Sequence, residues 1–185
     1  GLADMILITG AERYDSPGQI LEWDNSRGEY KHPIFWASIF TKSYKREFSI
    51  SDEQLAIVSV KNHKQAKENP NALSKKTYTV DDVINSKKLT EDLRLLNCSR
   101  PCTGSASIIL ASEDKAKQLT DKPIWVTGIG QKTTSAGFTK NNSFSSMEST
   151  KLAGQTALKM ANKNSKDIDV AEIHDAFSVC EPMAL

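Results

Sequence analysis

The chain has 185 residues, 38% of them hydrophobic and 25% charged, and its 24 Lys and Arg against 23 Asp and Glu leave a formal charge of +1. That length supports one sizeable core, or one and a half ordinary domains, and the scattered, balanced charge gives no reason to expect a nucleic-acid partner. No apolar run approaches the roughly 20 residues of a membrane-spanning helix, and the opening residues do not read as a signal peptide, so the expected setting is the cytoplasm.

In chain order, GLADMILITG begins without an initiator Met, and Met5 to Thr9 forms a short apolar run expected to be a strand buried on both faces. Residues 13 to 33, with Pro17, Gly18, Gly28 and Pro33, read as irregular connection. Pro33 can open a helix, and Ile34 to Phe48 then carries Phe35, Trp36, Ile39, Phe40 and Tyr44 at helical spacing, an aromatic stripe expected to be buried. Ser51 with Gln54 three residues later is a capping-box signature for a second helix, through Leu55, Ile57 and Val58 to about Lys67, which Asn69 and Pro70 stop. Thr79 to Ser86 predicts a short helix with Thr79 as its N-cap.

Ser105 to Ala111 predicts a second buried strand, Glu113 to Leu119 a brief helix and Ile124 to Ile129 a third strand. Residues 131 to 146 are rich in Thr, Ser, Asn and Gly and make a loop longer than an ordinary connection, which more often serves function. An amphipathic helix from about Ser146 to Asn162 leads to a fourth strand, Ile168 to Ile173, which ends at AEIHDAF. The closing CEPMAL stops inside an expected helix, so both ends read as cut from a longer protein. Strands separated by helices predict a layered α/β protein with a largely buried sheet and a helical subdomain between the first two strands.

Few residues carry a chemical signature. Cys98, Cys102 and Cys180 are odd in number, with no Cys or His pair nearby to complete a tetrahedral zinc site, and read as small buried thiols. The glycines of Gly128 to Gly130 follow a predicted strand but lack the third glycine opening a helix that a dinucleotide site requires, so they read as a strand-end turn. Lys61, Asn62 and His63 on the second helix read as a solvated polar face, and His32 carries no signal. His174 lies at the carboxyl end of a predicted strand, before an expected helix start, where ligands gather in α/β sheets. Its imidazole can donate a hydrogen bond or exchange a proton, with Glu172 or Asp175 fixing the tautomer. By position alone a structural histidine is as good a reading, and Asp175 is most simply an N-cap.

Three separated stretches resemble the thiolases, specifically the branch of the sterol carrier protein thiolases and the archaeal acetoacetyl-CoA thiolases. GLADMILITGAERY is similar to the strand after the nucleophile helix, DEQLAIVSVKNHKQAKENPNA (residues 52 to 72) to a helix with Lys-Asn-His and Asn-Pro, and DIDVAEIHDAF to a His-Asp-Cys/Ala-Phe motif. Their order and spacing agree over essentially the whole chain. The resemblance implies the layered αβαβα thiolase fold: residues 1–119 would be the remainder of the N-terminal half, with a loop-domain insertion at about 13–104, and residues 120–185 the beginning of the C-terminal half.

It also implies an acyl-CoA C-acyltransferase that forms or cleaves a carbon–carbon bond through an acyl-cysteine, with acetyl-CoA and acetoacetyl-CoA as expected substrates in lipid or isoprenoid-precursor metabolism. By the same resemblance His174 is an oxyanion-hole donor, supported by Glu172, Asp175 and Phe177. Coenzyme A thioesters are substrates, no tightly bound cofactor or metal is implied, and the expected assembly is a homodimer, a homotetramer or a larger thiolase-containing complex. The nucleophilic cysteine, a second histidine and the acid/base cysteine of the family match no residue here, so the chain by itself is expected to be inactive. Thr103 to Ser107 stands where the family commonly has Asp-Gly-Ala-Ala-Ala, and Pro182 falls in the helix after the motif. These departures leave a second reading, a non-condensing scaffold or acyl-carrying subunit.

Overall fold

The computed structural model describes residues 2–13, 32–135 and 143–185. Most of the irregular connection expected at 13 to 33, and the centre of the loop expected at 131 to 146, lie outside the described residues. Chain contacts divide the molecule into two compact units, Gly1–Glu22 with Pro101–Thr127, and Trp23–Arg100 with Gly128–Leu185.

The first unit is built on two strands, β1 (Met5–Glu12) and β2 (Gly104–Ala111), which pair antiparallel from Met5 opposite Ala111 to Glu12 opposite Gly104. The Ser112 N–H extends the ladder to the Asp4 carbonyl at 2.9 Å, and the Ser107 hydroxyl bonds Thr9 across the pair at 2.8 Å. Both strands occur where the apolar runs predict them, but the expectation of burial on both faces fails: every residue of both is exposed. An apolar run specifies a strand that can be covered; it does not supply the layer that covers it. Helix α4 (Glu113–Leu119) follows at its expected bounds, with Lys117 paired to Glu113 one turn earlier.

Helices α1 and α2 dominate the second unit. Pro33 occupies the first turn of α1 (Pro33–Phe48), His32 caps it by accepting the Ile34 N–H at its Nδ1, and Ser49 ends it in the left-handed region at φ 53°. Its deeply buried residues are Ala37 and Thr41, one turn apart, rather than the aromatic stripe; Trp36, Ile39, Phe40 and Tyr44 flank them half-buried and Phe35 is exposed. Small side chains let the helix approach its neighbours closely, and the rings fill the margins, as Tyr44 does against Phe48 at 4.6 Å.

The capping box expected from Ser51 and Gln54 is formed at the start of α2 (Asp52–Glu68), whose buried residues are Leu55, Ala56 and Ser59 while Ile57 is exposed. Thr79 caps α3 (Val80–Ile84) in a second box with Asp82, and the Thr79 N–H and hydroxyl together hold the Asp82 carboxyl below its ordinary 3.8. Helix α3 packs on α2 with Val83 buried, and Leu93 is buried as well.

The third and fourth predicted strands, Ile124 to Ile129 and Ile168 to Ile173, join no ladder among the described residues. β-branched runs favour extended backbone, but a strand exists only when a neighbour accepts its N–H and C=O groups. Gly128 and Gly130 instead lie against helix α5 (Glu148–Met160), which falls within the helix expected from Ser146 to Asn162. A Cβ on Gly128 would stand 2.1 Å from the Ala157 carbonyl oxygen, and one on Gly130 would stand 2.0 Å from that of Ala153. These glycines are therefore a close backbone contact rather than a strand-end turn. Helix α6 (Cys180–Ala184) closes the chain, with Pro182 in its first turn, where a missing N–H costs no helical bond.

Candidate functional site

The strongest convergence of polar side chains with the sequence motifs lies where α2 meets the residues after Ile173. Helix α2 presents Lys61, Asn62 and His63 on successive positions, and only some of that triplet faces water. Asn62 is half-buried, and its amide nitrogen donates to both the Asp175 carboxylate and, at 3.2 Å, Glu181 Oε2. Carboxylates only accept, so the amide must turn its nitrogen toward them. Lys61 Nζ stands 2.6 Å from Glu181 Oε1 and supplies positive charge where two acids converge. His63 sets its ring edge-on to Tyr78 with centroids 4.7 Å apart, and its buried Nδ1 has no hydrogen-bond partner among the described residues. The triplet is a seam, and the expectation of a solvated face holds only for exposed Lys61.

The HDAF segment is fixed on its other flank by backbone pairing. Cys98 and Phe177 form an isolated antiparallel bridge; the Ser99 N–H donates to the Ala176 carbonyl and the Ser178 N–H to the Asn97 carbonyl, both at 2.9 Å. Asn97 adds a side-chain bond from its amide nitrogen to the Ser178 hydroxyl at 3.1 Å, and Ser178 and Val179 are buried behind it. Phe177 thus belongs to the anchor. His174 is exposed just before it, and so is Glu172, for which no bond to His174 is found among the described residues.

Two positional expectations are corrected. No helix starts directly after His174: α6 begins at Cys180 after a turn, so the helix-start N–H groups invoked for an anion are not beside this histidine. Asp175 is no N-cap either; its carboxylate is engaged by Asn62 from a helix 113 residues earlier. The long separation is why spacing could not reveal this contact, and Glu181, the other acceptor, carries no signal in the sequence at all.

Two of the three cysteines are the small, partly buried thiols expected, and the third, Cys102, is not. Burial pushes the Cys98 thiol up to about 11, and burial chiefly, with the charge of Asp175, raises that of Cys180. Cys102 is exposed. Among the described residues no group of His, Cys, Asp and Glu is arranged to hold a metal, and no helix is long and apolar enough to cross a membrane.

Residues 130–185 match the thiolase C-terminal domain-like family. Acetyl-CoA acetyltransferases of Methanothermobacter thermautotrophicus and Methanocaldococcus jannaschii are 32% and 31% identical over 97% of this chain, which covers 49% and 48% of them. Sterol carrier protein 2 of Gallus gallus is 32% identical over 76% of the chain and 26% of its own length. The chain therefore spans about half the length of the curated acetyltransferases it matches. Among solved structures, an Ltp2–ChsH2(DUF35) aldolase superposes with a TM-score of 0.86 at 21% identity, covering all of this chain and 51% of that one. A monomeric SCP2-thiolase-like protein from Mycobacterium smegmatis superposes with a TM-score of 0.70 at 15% identity, over 98% of this chain and 41% of that one. At those identities the superpositions establish a shared fold.

Proposed function

This chain belongs to the thiolase family, and on that premise we propose that it is part of an acyl-CoA C-acyltransferase in which His174 donates a hydrogen bond to the oxygen of a reacting thioester. The archaeal relatives, named acetyl-CoA acetyltransferases, support acetyl-CoA and acetoacetyl-CoA as substrates. In such a reaction a base removes the proton α to the thioester carbonyl and the electron pair moves toward the carbonyl oxygen; the resulting carbanion then attacks the carbonyl carbon of an acyl-cysteine, whose C–S bond breaks to release the cysteine as its thiolate. Negative charge grows on that oxygen only as the transition state is approached, so a donor already in place accelerates the step.

The observation that carries this reading is the anchoring of the HDAF segment. Asn62 holds Asp175, the residues 97 to 99 hold 176 to 178, and His174 is left exposed directly before them. That is the arrangement a preorganised donor needs: a fixed backbone carrying an accessible imidazole.

On the same reading residues 1–119 are the remainder of the N-terminal thiolase half, with a loop-domain insertion at about 13–104, and residues 120–185 begin the C-terminal half. The nucleophilic cysteine, second histidine and acid/base cysteine would come from outside these 185 residues. A cytoplasmic homo-oligomer remains the expected form. The scaffold reading keeps one specific support, the Thr103 to Ser107 stretch where the resemblance leads to an acid.

The test is turnover by the polypeptide that carries this segment together with a thiolase nucleophile. His174→Ala should lower kcat for acetoacetyl-CoA thiolysis by at least about tenfold, since one lost oxyanion donor typically costs about 100-fold or more. His174→Asn keeps a donor and should lose less. Unchanged turnover in His174→Ala rules out the donor role, and no turnover in the parent protein favours the scaffold.

A further inference from the structure

We propose that Asn62 is the positioning residue of the His174 segment: by donating to Asp175 and Glu181 at once it fastens the turn that carries the histidine to helix α2. This inference deepens the function proposed above and rests on that reading for its catalytic consequence.

Three observations converge. One amide nitrogen reaches two carboxylates six residues apart, Asp175 directly after the histidine and Glu181 in α6. Two acids brought to one point repel each other unless donors and cations intervene, and here the Asn62 amide and the Lys61 ammonium are the groups that do so. Asn62 also sits on a well-supported element: a capping box starts α2, and Leu55, Ala56 and Ser59 are buried along it. The backbone bonds at Ser99 and Ser178 secure residues 176 to 178 but leave Asp175 and His174 beyond their reach. Asn62 supplies the restraint on that side.

Asn62 need not touch substrate for this. Its removal would leave the histidine chemically intact and misplace it, and an error of about 1 Å in a reacting group can cost about 100-fold. The effect should therefore appear in kcat and not in thioester binding.

The experiment uses the same polypeptide and compares Asn62→Asp, which places a third carboxylate at the seam, with the reciprocal swap Asn62→Asp with Asp175→Asn, which reverses donor and acceptor. Asn62→Asp is expected to lower kcat for acetoacetyl-CoA thiolysis at least about tenfold with KM within about twofold, and the swap to recover about a third of the lost rate or more. In parallel, hydrogen exchange of the amides of residues 174 to 178 should accelerate about tenfold or more in Asn62→Asp, with Val83 of α3 unchanged as the folding control. Parental kcat with parental exchange overturns the proposal, as does a loss that the swap does not recover. If His174→Ala itself keeps full turnover, the donor reading fails separately. Faster exchange over 174 to 178 in Asn62→Asp then still upholds the restraint, and unchanged exchange removes it.

Discussion

A thiol attacks only as its thiolate, and the surroundings of Cys98 work against ionisation. Its Sγ donates to the Arg94 carbonyl at 3.5 Å, its backbone is bridged to Phe177, and burial raises its pKa to about 11. Below that value the folded protein keeps Cys98 protonated, so its alkylation by iodoacetamide should rise with pH up to about 11, well past the ordinary thiol value of 9.0. At pH 8 we expect Cys98 to react at least about tenfold more slowly than exposed Cys102, measured by mass spectrometry of peptides from the native chain. Equal rates would show that the thiol is neither buried nor held. Spacing cannot rank the three cysteines, because the burial of Cys98 depends on a partner strand segment, at Phe177, that lies far away in the chain. The HDAF motif is legible for the opposite reason: its residues are contiguous in the sequence. The Asn62 contacts are not, since the partners lie 113 and 119 residues away.

Elements whose specification is local stand where the sequence puts them. Ser51 with Gln54 and Thr79 with Asp82 satisfy the first N–H groups of α2 and α3 within four residues, and both boxes form. Elements that need a distant neighbour do not follow from pattern: Ile124 to Ile129 has the composition of a strand and joins no ladder among the described residues. The closing glycines of that stretch show what pattern cannot convey. A Cβ at Gly130 would meet the Ala153 carbonyl oxygen at 2.0 Å, its carbon at 2.9 Å and the Ala157 nitrogen at 3.0 Å, all of them backbone. Backbone cannot rotate away as a side-chain tip can, so Gly130→Ala must push α5 off the segment. The expected cost is about 1–3 kcal/mol, the range for overpacking an interior, read as a lowered midpoint of chemical denaturation. Gly154, with nothing within 4 Å of the same hypothetical atom, is the internal control, and Gly154→Ala should be neutral or stabilising because it removes a helix-interior glycine. Equal midpoints for Gly130→Ala and the parent would mean that α5 does not pack there.

At the scale of the molecule the two units differ in what holds them. Every deeply buried residue among those described, from Ala37 and Ala56 to Leu93 and Val179, belongs to the second unit. The first has a complete antiparallel register and, among the described residues, no buried strand position: Ile8 and Ile108, directly opposed, are 48% and 58% exposed. Hydrogen bonds of a two-stranded pair in water are exchanged against bonds to solvent and contribute little net stability, so a ladder without a buried face is marginal by itself. Burial is what separates the free energies of local opening, and the units should therefore open independently rather than as one cooperative body. In native-state hydrogen exchange of the 185-residue chain, the slowest amides of β1 and β2 should exchange at least about tenfold faster than the slowest amides of α2. Adding denaturant should bring the two groups together only near global unfolding. Should the strands prove as protected as Leu55 and Ala56 from the outset, the apolar faces of β1 and β2 are covered in solution, and self-association of the chain through them becomes the explanation to test by its dependence on protein concentration.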